Sequence, residues 1–154
     1  LLSMDHDNPQ MGSKHQIGDL SEEEQILMEA CGNKLMLFRL RGPLSFGAAK
    51  GISARIGLIS NYKVLILDIS DVPRIGVTAS LAIERMVQEA ESLGRLAIVA
   101  GAKQKPKERL QRFGVDMTTE TRLKALQLAH SQITRSCDQL PCQDTSPNQD
   151  KDQP

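Results

Sequence analysis

Three cysteines, three histidines and a run of glutamates are the residues of this chain whose types could do chemistry. Cys31, Cys137 and Cys142 are odd in number, and the last two have four residues between them. That spacing matches the tight Cys-x-x-Cys of zinc or redox sites poorly. They read as free thiols in a reducing compartment. His6, His15 and His130 show no His-x-x-x-His spacing; two lie in a polar stretch, and His130 falls on an apolar stripe as a residue of the core edge. Glu22, Glu23 and Glu24 occupy the first turn of a predicted helix, where carboxylates favour the dipole, and nothing beside them makes a cleft for acid–base work. Gly47-Ala48-Ala49-Lys50-Gly51 has the letters of a phosphate loop in the wrong order, and neither Gly-x-Gly-x-x-Gly nor Gly-x-x-x-x-Gly-Lys-Ser/Thr occurs. No catalytic set, no metal site and no cofactor motif emerges. The chain reads as non-enzymatic.

The elements that would position any site come from composition and period. The 154 residues carry 19 Lys+Arg against 19 Asp+Glu, so the basic excess of a nucleic-acid binder is missing. The segment Arg95 to Arg112 is nevertheless locally basic, with Arg95, Lys103, Lys105, Lys107, Arg109 and Arg112 against Glu108. It reads as a solvated face or as a surface for anionic headgroups or an acidic partner. No apolar run approaches the ~18 residues of a spanning helix. Met11-Gly12-Ser13 is no myristoylation signal, because Gln16 stands where Ser or Thr is needed.

Residues 1–20 are polar and read as a disordered linker, and residues 135–154 as a disordered tail; residues 21–134 form the domain. Ser21-Glu22-Glu23-Glu24 has the form of a capping box and opens a helix through Ala30. Leu35 to Leu40 predicts a strand, followed by a short extended piece ending near Phe46. Ala49, Ile52, Ile56 and Ile59 recur at helical spacing. Val64-Leu65-Ile66-Leu67-Asp68-Ile69 is a nearly continuous apolar run, the mark of a central strand. A helix from Thr78 to Leu93 places Ile83, Met86, Val87 and Ala90 on its core face and ends at Gly94. Leu96 to Val99 predicts another strand, and Pro106 and Gly114 bracket a short helix. A last helix, capped by Thr118 or Thr119, shows Leu123, Leu126, His130 and Ile133 on one face. The expected architecture is α/β, a mixed sheet with helices packed mainly on one face.

The stretch from Val64 to Val87, with a strand ending in Asp68-Ile69-Ser70, a turn through Val72-Pro73 and a loop at Gly76-Val77-Thr78-Ala79 that opens a helix, resembles the STAS domain, the family shared by sulfate transporters and anti-sigma-factor antagonists. Leu40-Arg41-Gly42-Pro43-Leu44-Ser45-Phe46 is similar to the Gly-Pro-Leu-x-Phe stretch of its SulP anion-transporter branch. Gly94 to Ala100 and Leu110 to Val115 follow in the family's order, so the likeness runs from Lys34 to Ile133. It implies a STAS-like fold and a non-catalytic cytosolic domain following the membrane-spanning part of an anion carrier, most like the sodium-dependent bicarbonate carriers of cyanobacteria. Leu1-Leu2 would be the stub of the last membrane segment. Implied partners are that membrane part, a second copy in a homodimer, and a regulatory protein, at the cytoplasmic face of the plasma membrane. A sulfate carrier and a free-standing antagonist switched by phosphorylation are the alternatives.

One departure bears on mechanism. The antagonist branch begins its loop with Asp and phosphorylates a Ser two positions later; here these positions hold Gly76 and Thr78, with Ala79 in place of a Gly. Thr78 is the regulatory or phosphorylation candidate, with simple helix capping as the plainer role. Loss of the carboxylate, with Arg74 just upstream, also makes Arg74, Gly76, Val77 and Thr78 a candidate anion-binding set.

Overall fold

Val64-Leu65-Ile66-Leu67 offers no polar face, so whatever strand it forms has to be covered on both sides. The computed structural model describes residues 20–42, 44, 46–58 and 61–139 and meets that demand. Strand β1 (Leu35–Arg41), β2 (Val64–Asp71), β3 (Leu96–Ala100) and the short β4 (Thr118–Thr119) form one sheet in the order β1-β2-β3-β4. Every pairing is parallel, with Leu35 opposite Val64 and Val64 opposite Leu96. The helices are α1 (Glu22–Cys31), α2 (Phe46–Leu58), α3 (Val77–Ser92), α4 (Gln104–Arg112) and α5 (Arg122–Gln139).

Alternation along the strands splits the core in two. Met36, Phe38, Leu40, Leu65, Leu67 and Val99 pack with α2, α3 and Leu110 of α4. Leu35, Leu37, Val64, Ile66 and Ile98 pack on the other side with Met28 and Cys31 of α1 and Ala125, Leu126, Ala129 and Ile133 of α5.

The STAS-like α/β class stands, and two details differ from expectation. Among the described residues the sheet is parallel rather than mixed, and helices cover both faces rather than mainly one. The cause is the double-sided apolar character of β1 and β2, which α2 and α3 alone would leave half in water.

Local signals behave as their chemistry dictates. The capping box at Ser21 is present in full, and Gly94 takes the left-handed backbone at φ 77°. Ile83, Met86, Val87 and Ala90 are the buried stripe of α3. The extended piece expected to end near Phe46 gives way to α2, which starts there. The last helix is capped by Thr121, whose Oγ1 accepts the Lys124 N–H at 3.2 Å. Thr118 and Thr119 instead pair with Val99 and Ala100 as β4. Leu123 and His130 are only half-buried, because the stripe of α5 runs through Ala125 and Ala129, whose small side chains let the helix lie close to the sheet. This helix also continues to Gln139, past the boundary expected at 134. The rest of the expected tail and the expected linker up to position 19 lie outside the described residues, as does Ile59.

The chain leaves β3 through Gly101, at φ 83°. A Cβ there would stand 2.4 Å from Ser70 Oγ and 2.8 Å from Ser70 N. Gly101→Ala therefore combines left-handed strain with a clash against the β2 backbone, and should cost roughly 3 kcal/mol in urea unfolding. Gly114→Ala is the control: at φ 87° it has open space around it, so strain alone should cost about 1 kcal/mol.

Candidate functional site

Parallel strands bring all their C-terminal ends to one edge of the sheet, and there the chain buries charge. Asp68 of β2 is completely buried, which would cost several kcal/mol without compensation. Its Oδ1 accepts Ser70 N–H at 3.0 Å and Ser70 Oγ–H at 2.6 Å. Its Oδ2 accepts Arg122 Nη1 at 3.2 Å. Arg122, the first residue of α5, also donates Nε to Glu24 Oε2, and Nη2 to Glu24 Oε1 at 3.4 Å. Glu24 in turn closes the capping box of α1, accepting Ser21 N–H at 3.1 Å. One guanidinium thus clasps α1 and β2 to α5.

The electrostatics follow from that geometry. Burial pushes the Glu24 carboxyl up, and the hydrogen bonds and charge of Arg122, with help from Ser21, outweigh it, holding the group below its ordinary value. Burial pulls Arg122 down, and Glu24 and Asp68 overcome it, so the guanidinium is held above its ordinary value. Beside the clasp, Arg39 Nε meets Asp71 Oδ2 at 2.8 Å. A cleft of about 510 Å³ opens over these groups, lined by Glu24, Arg39, Ser70, Lys103, Thr121 and Arg122. Its carboxylate Glu24 is matched to a fixed cation, and Ser70 Oγ spends its proton on Asp68. Such a set holds shape and charge. Among the described residues no cluster of three or more His, Cys, Asp or Glu could hold a metal ion.

The candidate set Arg74, Gly76, Val77 and Thr78 lies on the same edge, in the loop from β2 into α3. Gly76 is the N-cap of α3, with no side-chain cap bond, and its carbonyl accepts Ser80 N–H at 2.9 Å and Ser80 Oγ–H at 2.7 Å. The capping role for Thr78 is therefore corrected: Thr78 is the second residue of the helix, exposed to solvent, while the backbone of Gly76 starts the helix. No acid sits in that first turn. Arg74 and Gly76 line a second cleft of about 370 Å³ together with Lys105 and Arg109 of α4. Arg109 Nη1 donates to Ile75 O at 3.2 Å, which ties α4 to the loop. Val77 and Thr78 stand beside this cleft without lining it.

Reading the sequence missed the clasp. Asp68 passed as part of an apolar run, Glu24 as a dipole partner, and Arg122 was not singled out. The available signal was Asp68 itself, since a lone carboxylate inside a doubly covered strand demands a cation from elsewhere. Burial pushes the Cys31 thiol up to about 11, leaving it unreactive. The side chain of Cys137 and all of Cys142 lie outside the described residues.

Comparison with known proteins gives a consistent result. The family profile of the STAS domain matches residues 27–125. The chain is 38% identical over 96 residues to the bicarbonate transporter BicA of Synechocystis sp., covering 62% of this chain and 17% of that protein. It is 34% identical over 94 residues to BicA of Picosynechococcus sp., covering 61% of this chain and again 17% of that protein. The match thus spans about a sixth of each of these relatives. Among solved structures, it resembles the SulP transporter STAS domain from Vibrio cholerae at TM-score 0.64 and 23% identity, over 75% of this chain and 99% of that one. A sulfate transporter family protein from Wolinella succinogenes follows at TM-score 0.57 and 24% identity, over 66% of this chain and 88% of that one. At these identities the two structures speak for the fold. Among the described residues no helix is long and apolar enough to cross a membrane.

Two outcomes test the clasp. Arg122→Met leaves Asp68 buried and unpaired and should cost about 3 kcal/mol in denaturant unfolding, whereas adding Asp68→Leu should restore most of it. The second is a pH effect. Because Glu24 sits below its ordinary 4.5 in the folded chain, its contribution is complete above that pH and is lost as pH falls through the lower folded value. Melting temperature should decline below pH 4.5, and Glu24→Gln should flatten that part of the profile.

Proposed function

We propose a function from the premise that the chain belongs to the STAS domain family: it is the non-catalytic cytosolic domain of a SulP-type anion transporter, one that takes up bicarbonate with sodium. The observation that carries this reading is the likeness to two bicarbonate transporters. On it, transport resides in a membrane-spanning part of the same protein, at the cytoplasmic face of the plasma membrane. Residues 1–20 are the connection to that part, and the residues beyond α5 are a tail. The domain pairs two protomers and couples a cytosolic signal, or a regulatory protein, to the carrier. The clasp supports such a role physically: α1, the first described helix, is held to β2 and α5 through Arg122, so displacement of the sheet is passed to the upstream chain as a rigid unit.

The element that receives the signal is the β2–α3 loop. Thr78 is solvent-exposed at the start of α3, and a phosphate on it would meet the positive end of the helix and the cations Arg74 and Arg109. The same surroundings suit an anion held by Arg74 and the backbone of Gly76, Val77 and Thr78. A sulfate carrier uses the same domain in the same way. A free-standing antagonist is the reading from another class, and it would act by binding a kinase and being switched at Thr78.

The test is sodium-dependent influx of labelled bicarbonate by the full-length gene product in a host lacking its own uptake. Removing residues 20–154 should lower influx severalfold with membrane insertion intact, and Thr78→Glu should shift influx where Thr78→Val does not. A soluble gene product without transport would leave the antagonist reading, with kinase labelling of Thr78 as its test.

A further inference from the structure

Five cations stand in the ten residues from Lys103 to Arg112, with Glu108 alone against them. Three of them, Lys103, Lys105 and Lys107, crowd the start of α4: Lys103 is its N-cap, and Lys107 N–H bonds back to Lys103 O at 2.7 Å. This placement runs against helix electrostatics, because the positive end of the dipole favours acids and the first turn of α4 has none. All three lysines are exposed. Arg74 adds a fourth exposed cation from the neighbouring loop, and the first turn of α3 beside it also lacks an acid. A local arrangement that costs stability without internal compensation marks a surface shaped for something outside the chain.

Position says what that is. The starts of α3 and α4 lie at the C-terminal edge of the parallel sheet, and the Arg122 clasp holds the start of α1 at the same edge. The clasp therefore keeps Ser21, the cap of α1, at the edge that carries these cations. The acids of this edge sort to other places: Glu22 and Glu23 belong to α1, on the opposite face of the sheet from α4, and Asp71 is engaged by Arg39 and Arg41. Glu120 is the carboxylate that stays near them, lining one cleft with Lys103 and another with Lys103 and Lys105.

We infer that the α3–α4 side of this edge, through Arg74, Lys103, Lys105 and Lys107, rests on an anionic phospholipid surface. The inference builds on the transporter reading, which places a bilayer on the side from which the upstream chain arrives. Four exposed cations spread over one loop and the start of a helix suit a plane of headgroups better than a single small anion, and the alternative of an acidic protein is separated by experiment. Each lysine near such a surface contributes attraction that falls off within about 10 Å at moderate salt.

The measurement is flotation of the 154-residue chain with vesicles of phosphatidylcholine alone or with about a third phosphatidylglycerol. Binding is expected to the anionic vesicles only, at low salt, and to be lost at high salt. Lys105→Gln with Lys107→Gln should weaken it roughly 30-fold while melting at the wild-type temperature or above, since both lysines oppose the helix dipole. Lys63→Gln with Arg135→Gln, equal in charge and placed away from this edge, should weaken it far less. No binding to anionic vesicles, an equal loss in the two double variants, or release by inorganic phosphate at constant ionic strength would each overturn the inference. So would cross-linking through Lys105 to an acidic protein by a chain that ignores vesicles. Vesicle binding is read on this chain and influx on the full-length product, so failure of one is distinguishable from failure of the other.

Discussion

A carboxylate buried without any exposure in the central strand of a sheet has to be answered by a cation, and that requirement organises this molecule. Asp68 obtains Arg122 at 3.2 Å and two hydrogen bonds from Ser70. Taking such ions out of water costs several kcal/mol apiece, and their attraction is of similar size, about 4 kcal/mol at 4 Å in a medium of intermediate polarity. Gain and loss nearly cancel. What the pair secures is position: α5 begins where its first guanidinium can reach β2, and α1 begins where Glu24 can reach the same guanidinium. Two apolar residues could pack the space, yet they would tolerate a sliding helix in a way that a guanidinium forked onto Glu24 and bonded to Asp68 does not.

The ease of reading each part of this fold from sequence tracks how local its cause is. The capping box at Ser21 and Glu24, the left-handed ends at Gly94 and Gly114, and the core stripe of α3 depend on residues three or four positions apart, and all are legible. The apolar run of β2 announced a strand covered on both faces. The expectation of helices mainly on one face failed to follow that clue through. The clasp joins residues separated by 54 and 98 positions, and no periodicity carries information over such distances. β4 spans only Thr118 and Thr119, too short to show alternation, so its threonines looked like a helix cap. The candidate loop was legible through family likeness; that Lys105 and Arg109 lie beside Arg74 was not, since only the docking of α4 against the loop brings them there.

Parallel topology then has an electrostatic consequence. Each helix that follows a strand starts at the same edge, so the positive ends of α2, α3, α4 and α5 gather there. In many α/β proteins acids or a bound phosphate absorb that field. Here α2, α3, α4 and α5 all lack an acid in the first turn, and α1 holds three. The chain is neutral overall, so its charge is segregated between the start of α1 and the starts of the other helices instead of being spread evenly. Neutrality of composition excluded a general polyanion binder and hid a directional one.

Segregation and the clasp bear on each other. An element that transmits a signal needs two ends and little slack between them. At one end lie the loop leading to Thr78 and the basic start of α4, both exposed and tied to each other by the Arg109 guanidinium donating to Ile75 O. At the other lies α1, leading out of the domain. Between them stands β2, continuous from Asp68 to the loop, with Asp68 gripped by the guanidinium that also grips Glu24. The loop therefore runs into the strand whose buried carboxylate is gripped by the arginine that also locates α1, so one strand and one arginine join the two.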